Sequence, residues 1–423
     1  KIGFKIFLYS RFLIKMSCIS LFMRLSLNLV FLFALVLVGA NLLSVVFPAL
    51  ILDEFGHIAT DRYNAFEIGN NAILLIVSNA IILSFGFLYK TNKLPSFSSS
   101  LNKIRTFEIS KKQSLIAGII ILVVYIGITS PELTIDESIR YADFEVVLHG
   151  IETFPKTDSG DPTYDEQNSR FVRMILLIFS HDYLDNVKVI PFVFSILLVV
   201  ITGLLTVQIS HRRIAGLIAM IVLLQGYTFL EYDTVAVYEN FWTTFFLLSI
   251  YTIHKRWHLS GVFYLLSVFS KAFATPFLIL NVYYLLRSNN TRSIKLRTLV
   301  SYGIIIIIML GLFAIGNTIY DDIIHIDFHR FMNSFSDFSG QMQFDIFLLI
   351  MILPVTIGLF FAARNGIIHA ESMLFFIASL LLFGPLVALV TDFFVILPYR
   401  FVPLIAFFSI SLGIIIFRNV KSS

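Results

Sequence analysis

The sequence predicts an all-α, polytopic integral membrane protein with about 11–12 transmembrane helices. Three observations carry this. First, 57% of the 423 residues are hydrophobic, and at roughly 20 apolar residues per crossing that is enough for about a dozen spans. Second, only 14% are charged, against about 25% in an ordinary soluble domain. The mean hydropathy is +0.87 and Phe alone contributes 45 residues, more apolar surface than a water-soluble globule of this size can hide. Third, the apolar runs are continuous over about 15–25 residues, where a membrane barrel strand alternates over about 10.

In chain order, the runs of spanning length are Leu25–Leu52, Ala72–Tyr89, Ser114–Ser130, Val189–Ser210, Ile214–Leu230 and Phe241–Ile253. A stretch from Leu259 to Leu286 follows, interrupted by Lys271, and then Leu299–Ile319, Ile346–Ala362, Ser372–Thr391 and Phe401–Phe417. The Leu259–Leu286 stretch is too long for one comfortable span, and basic residues flank both of its ends (Lys255, Arg256; Arg287, Arg292). It therefore reads as two short helices that turn near Lys271, with both ends on one side. The first apolar run is too long, and lacks the small-residue pattern, for a cleavable signal peptide. The single cysteine, Cys18, excludes an intrachain disulfide framework and a cysteine-based zinc or iron–sulfur site.

Charge supplies the topology. With the N-terminus in the cytoplasm, the inside segments hold about two-thirds of the 31 Lys and Arg but only Glu108 and Glu371 of the 27 acidic residues. The net charge of +4 is thus a topological signal and not one for nucleic acid. Segments Lys1–Arg24 and Lys90–Lys112 are basic and suit anionic headgroups. Residues 1–110 read as an amphipathic segment, two spans and a cytoplasmic linker; residues 111–423 read as the main domain. The Asn289-Asn290-Thr291 sequon falls in a cytoplasmic loop, where glycosylation is not expected.

The remaining carboxylates pool on the outer face, which is where chemistry is sought. The longest outer segment, residues 131–188, opens with Thr134-Ile135-Asp136-Glu137-Ser138-Ile139-Arg140. Helical spacing of Ile135, Ile139, Phe144 and Val147 predicts a helix along the membrane surface, with Asp136-Glu137 at its start. Two readings of the pair stand side by side. One is structural: Thr134 and Glu137 form a capping box and Arg140 pairs with Asp136. The other is functional: a carboxylate at the water–lipid boundary serves as a general base or a cation ligand. The outer turn Glu231–Asn240 crowds Glu231, Asp233 and Glu239, which is costly unless cations or substrate groups neutralise them. Lys271 interrupts an apolar stretch, where a charge costs at least ~2.5–3.5 kcal/mol; it either snorkels or binds an anion. Arg400, after Leu397-Pro398-Tyr399, is either an interfacial anchor or a second anion ligand. Carboxylates beside isolated cations suit transfer from a lipid-linked phosphate donor.

At these residues the chain resembles the GT-C superfamily of membrane glycosyltransferases, closest to the protein O-mannosyltransferase and aminoarabinose-transferase branch. Asp136-Glu137 is similar to that branch's acidic pair early in a large first outer loop. His211-Arg212-Arg213 resembles its short basic turn, and Glu231–Asn240 followed by Phe241-Trp242-Thr243-Thr244-Phe245-Phe246 resembles its second acidic loop. Gly261 to Lys271 and Tyr399-Arg400-Phe401-Val402-Pro403-Leu404 resemble two later motifs. The resemblance covers roughly residues 111–423; the His-Pro-Pro element of the family is replaced by Asp161-Pro162-Thr163-Tyr164, and the two N-terminal spans are extra.

The resemblance implies an enzyme that moves a sugar from a polyprenyl-phosphate donor to a lipid, glycan or protein acceptor on the non-cytoplasmic face; the default membrane is a prokaryotic plasma membrane, with the endoplasmic reticulum as the alternative. Asp136 would be the general base. Lys271 and Arg400 would stabilise the departing phosphate, and Glu137, Glu231 and Asp233 would contact the donor. Asp136, Glu137 and Asp233 also suit Mg²⁺ or Mn²⁺ but show no ligand-spacing signature, so sugar binding and cation binding both stay open. Two other classes remain: a transporter or flippase for a lipid-linked or anionic solute, and a non-catalytic subunit of a membrane complex.

Overall fold

The computed structural model describes residues 26–48, 50, 66–91, 93, 99, 103, 106–154, 170–315, 326–390 and 398–417. The described residues form α-helices and short 3-10 turns, with no strand among them. In order the helices are α1 (Ser26–Val46), α2 (Ala72–Lys90), α3 (Lys111–Thr129), α4 (Phe144–Thr153), α5 (Phe171–Leu184), α6 (Val189–Ser210), α7 (Arg213–Leu223) and α8 (Tyr227–Glu231). They continue with α9 (Phe241–Lys255), α10 (Trp257–Ser270), α11 (Leu278–Arg287), α12 (Arg292–Ile315), α13 (Phe328–Gln341), α14 (Ile346–Arg364), α15 (Ile368–Val390) and α16 (Val402–Ile416).

Seven of them are long and apolar enough to cross a membrane: α1, α2, α3, α6, α14, α15 and α16. This is the pattern of a polytopic membrane protein. Of the other expected spans, Leu299–Ile319 falls largely on α12, which has 24 residues, and the rest are shorter helices. α7, α9, α10 and α11 have 10–15 residues, about 15–22 Å of rise, against a hydrocarbon core of ~30 Å. A count of apolar residues does not register the backbone breaks between them. The expected span Ile214–Leu230 is broken at Leu224-Gln225-Gly226, where α7 stops and α8 begins. The Leu259–Leu286 stretch is broken where expected: α10 ends at Ser270, Lys271 is extended, and a 3-10 turn Ala272–Phe277 containing Pro276 leads into α11.

Helix α16 is the central pillar. Residues Val402–Ile414 are buried on every side, as expected for a helix that is apolar all round, and it packs on α6, α7, α14 and α15. Close approach there depends on small residues. A Cβ on Gly216 of α7 would lie 2.7 Å from the Gly203 carbonyl of α6, and one on Gly413 of α16 would lie 2.7 Å from the Ala215 carbonyl. Helix α1 shares this core through Ala34 and Val38, its Phe31 stacks on Phe360 at 4.1 Å, and its Asn41 Oδ1 accepts from Ser339 at 2.8 Å. The start of α3 carries a capping box of Ser110 and Gln113.

A second, smaller core lies at the end of the bundle where α6 begins and α8 gives way to α9. There Val147 and Ile151 of α4 and Met174 and Leu177 of α5 pack on Tyr232, Val235, Ala236, Phe241 and Tyr399. The predicted surface helix differs from the observed one. Residues 130–134 form a 3-10 turn, 137–143 are turns, and the α-helix starts only at Phe144. The stretch gives up helix because its polar groups bond elsewhere, as described next. Helix α5 was not anticipated. The element Asp161–Tyr164 lies outside the described residues.

Candidate functional site

The site is organised by the turn 232–240, which joins α8 to α9 and is buried except at Tyr238. Glu231 at the end of α8 and Asp233 and Glu239 within the turn repel one another, and each is neutralised in a different way. Glu231 forms an ion pair with Arg140. Glu239 Oε2 accepts from Arg173 Nε at 2.8 Å, and both side chains are buried; Arg173 Nη2 also donates to the carbonyls of Val237 (2.9 Å) and Ala236 (3.3 Å). Asp233 has no ion pair among the described residues. Its Oδ2 accepts from the Tyr125 hydroxyl at 2.7 Å and its Oδ1 has no hydrogen-bond partner. Burial pushes the Asp233 carboxyl up to about 8, aided by the charge of Glu132, so it carries a proton at neutral pH.

Glu137 clamps the outer segment to this turn. It is buried, and its two oxygens accept from the backbone N–H groups of Ala236 (2.8 Å) and Val237 (3.3 Å). The Lys188 ammonium lies 3.8 Å from Glu137 Oε1 and donates to the carbonyls of Glu132 (2.5 Å) and Ile135 (3.1 Å). Burial raises Glu137 above the usual carboxylate range and lowers Lys188.

These bonds overturn the expected local pairing. Glu137 does not complete a capping box, because its carboxylate is spent on Ala236 and Val237. Thr134 Oγ1 donates back to the Pro131 carbonyl at 2.8 Å. Arg140 pairs with Glu231 and not with Asp136. Asp136 is exposed, and its Oδ1 accepts from the Ser138 N–H at 2.9 Å, which lowers its carboxyl below the usual value. It is an ionised carboxylate at the lip of the site.

The cations approach from the other side. Lys271 is buried, its Nζ donates to the Tyr399 hydroxyl, and it lies 3.8 Å above the Tyr399 ring centroid. No carboxylate among the described residues forms an ion pair with it. Arg400 Nε donates to the same hydroxyl at 3.4 Å, and its guanidinium sits over Phe273 at 5.2 Å. Arg400, Arg170 and Arg173 all bring positive charge to bear on Lys271, opposed by Glu239. The Tyr399 ring stacks on Tyr238 at 4.6 Å. Tyr238 in turn donates to Asp143 Oδ2 at 2.9 Å and meets the Tyr141 ring edge-on at 5.3 Å.

The structure therefore brings Glu137, Glu231, Asp233, Lys271 and Arg400 to one end of the bundle around the turn 232–240, with Asp136 at its rim. It does not bring the carboxylates together. Asp136, Glu137 and Asp233 are each turned to different partners, and no cluster of three His, Cys, Asp or Glu among the described residues suits a metal ion. Sequence reasoning passed over Arg173, Lys188, Tyr125 and Tyr238. Arg173 carried a usable signal, since it interrupts an apolar run as Lys271 does; the tyrosines carried none.

Fold and site together define an all-helical polytopic protein with a polar, cation-bearing site capping one end of its bundle. Comparison with models of known protein families, with curated proteins and with solved structures finds no match.

Proposed function

We propose that the chain is a membrane glycosyltransferase that takes a sugar from a polyprenyl-phosphate donor and passes it to a hydroxyl of a lipid, glycan or protein acceptor. In this reading the short helices pair with the seven long ones to give about 11–12 crossings. The charge sorting puts the site on the non-cytoplasmic face, of a prokaryotic plasma membrane by default.

One observation carries the reading: the Lys271 amine is buried, held by an aromatic ring and crowded by cations, and no carboxylate among the described residues is bonded to it. Holding that amine in its charged form is expensive, and a bound phosphate relieves the cost. Lys271 and Arg400 then stabilise the phosphate as it leaves, an electrostatic contribution of the kind that usually dominates catalysis. Asp136, exposed and ionised, takes the proton of the acceptor hydroxyl. The hydroxyl oxygen bonds to the anomeric carbon as the bond from that carbon to the phosphate oxygen breaks, and the phosphate keeps the electron pair. Glu137 and Asp233 act on this reading as positioning residues, since their bonds hold the turn.

The test is transfer of radiolabelled sugar in membranes containing Asp136→Asn. The exposed side chain predicts unchanged thermal stability, within about 0.5 kcal/mol, and a fall in turnover of about 10²–10⁴-fold. Wild-type turnover in that variant removes Asp136 as the base. Wild-type protein that binds a polyprenyl phosphate yet transfers no sugar favours the transport or scaffold classes.

A further inference from the structure

At the far end of α6 the structure contains a second polar feature. Helix α6 has 22 residues, about 33 Å of rise, and the Glu137 clamp lies at its N-terminal end. At its C-terminal end is a cavity of about 650 Å³ lined by Glu108, Leu204, Val207, Gln208, His211, Arg212, Arg213, Tyr251 and Lys255. That volume is within the range of small-molecule sites.

The lining divides into two parts. Leu204, Val207 and Tyr251 form an apolar wall, with Leu204 and Val207 on the α6 face that also carries Gln208 and His211. The rim is cationic: among the described lining residues Arg212, Arg213 and Lys255 face one carboxylate, Glu108, with His211 beside them. Glu108 is already engaged, accepting from the Arg213 N–H at 3.1 Å and from Arg212 Nη1 at 3.4 Å. The Lys255 side chain is exposed, and its nearest aromatic contact is the Tyr251 ring at 5.9 Å. It has no ion pair among the described residues. The tight turn that gathers these cations is fixed by His211, which closes α6 in the left-handed region at φ 56°.

We propose that this cavity binds a phosphate-bearing ligand, with phosphate oxygens on Lys255 and the arginine rim and an apolar portion on the Leu204–Val207 wall. Three permanent cations around one occupied carboxylate leave an excess of positive charge that an anion neutralises, and Arg and Lys at a cavity mouth are the usual phosphate ligands. The apolar wall favours an anionic phospholipid headgroup over free phosphate as the source. The site is independent of the transfer reading, because it shares no residue with the turn 232–240.

The experiment is native mass spectrometry of the full chain released from mild detergent after incubation with equimolar phosphatidylglycerol and phosphatidylcholine. The wild type is expected to retain phosphatidylglycerol selectively. Lys255→Ala is expected to lower the retained fraction about fivefold, and Lys255→Ala with Arg213→Ala about 25-fold. Arg256→Ala, an exposed neighbour that does not line the cavity, should leave it unchanged. Leu204→Trp fills the cavity without altering charge and should also abolish retention, which separates a built site from diffuse attraction. A parallel arm adds millimolar inorganic phosphate. If phosphate displaces the lipid and raises the thermal midpoint, the ligand is a free phosphate; if the lipid stays, it is a headgroup. Equal retention of the two lipids by the wild type with no effect of phosphate overturns the proposal. So does unchanged retention in both the double variant and Leu204→Trp.

Discussion

Lys271 and Tyr399 are separated by 128 residues in the chain, yet the ammonium lies 3.8 Å above the tyrosine ring and donates to its hydroxyl. A cation over an aromatic face gains roughly 0.5–2 kcal/mol, less than the desolvation cost of a buried ammonium. Keeping the residue protonated therefore costs the folded state free energy, which a bound anion offsets. Lys271→Met keeps the length and removes the charge. The expected outcome is a thermal midpoint equal to or above that of the wild type, with sugar transfer down about 10²–10³-fold. Unfolding and transfer measured on the same membranes check this. A lower midpoint with transfer intact would make Lys271 a structural residue.

Much of this arrangement is legible in the sequence, and the parts that are not share a cause. Lys271 and Arg400 are visible because each interrupts an apolar stretch, and Asp136-Glu137 because outer carboxylates stand out against such a background. The sorting of charge by side is also legible, down to its two exceptions: Glu371 pairs with Arg287 at 2.5 Å and Glu108 with Arg212 at 3.4 Å. What the sequence hides is who bonds to whom. Local spacing assigns Glu137 to a helix cap and Arg140 to Asp136, but Glu137 reaches residues about 100 positions away and Arg140 reaches 91. Local rules are poor guides wherever a loop folds onto another loop, since burial then rewards long-range partners. The helix break at Gly226 is equally hidden from a count of apolar residues, whereas the one near Lys271 is legible from the length of the apolar stretch and the basic residues flanking it.

The pair Arg173–Glu239 makes a stability prediction. Both side chains are buried, and Arg173 also holds two carbonyls of the turn. Arg173→Met leaves Glu239 charged and unpaired, at a cost of about 3–5 kcal/mol. Adding Glu239→Gln removes the stranded charge, so the double variant should be more stable than Arg173→Met alone. Chemical unfolding of the wild type, both single variants and the double variant closes the cycle. Strict additivity would mean that the pair contributes no coupling.

A pH prediction follows from Asp233. Its carboxyl titrates at about 8 in the folded protein and near 3.8 when exposed. Between these values the folded state holds a proton that the unfolded state has lost. Stability from this group is thus fully present below pH 3.8, falls as pH rises, and is gone above about pH 8. Asp233→Asn cannot ionise and keeps a partner for Tyr125. The expected result is a wild-type thermal midpoint that drops between pH 5 and 9 and a variant whose drop is clearly smaller. Glu137, raised in the same direction, leaves a residual slope in both. Parallel curves for the two proteins would place the proton elsewhere.

The close packing of α6, α7 and α16 is tested by two glycines that predict opposite signs. A Cβ on Gly216 would meet Val207 Cγ2 at 2.5 Å and the Gly203 carbonyl at 2.7 Å. The first neighbour can rotate, but the second is backbone and fixes the distance between the two helices. Gly216→Ala must therefore push α7 away from α6, and overpacking of this kind costs about 1–3 kcal/mol. Gly303, inside α12, has nothing within 4 Å of its Cβ position. There the substitution only removes backbone freedom from the unfolded chain and improves helix propensity, a gain of about 0.5–1 kcal/mol. Thermal unfolding of Gly216→Ala and Gly303→Ala side by side should give shifts of opposite sign. Because α7 carries the basic turn at one end and leads into the 232–240 turn at the other, Gly216→Ala should also loosen both sites. Increased proteolysis near Arg213 and reduced sugar transfer in that variant, with Gly303→Ala at wild-type levels for both, would report that coupling.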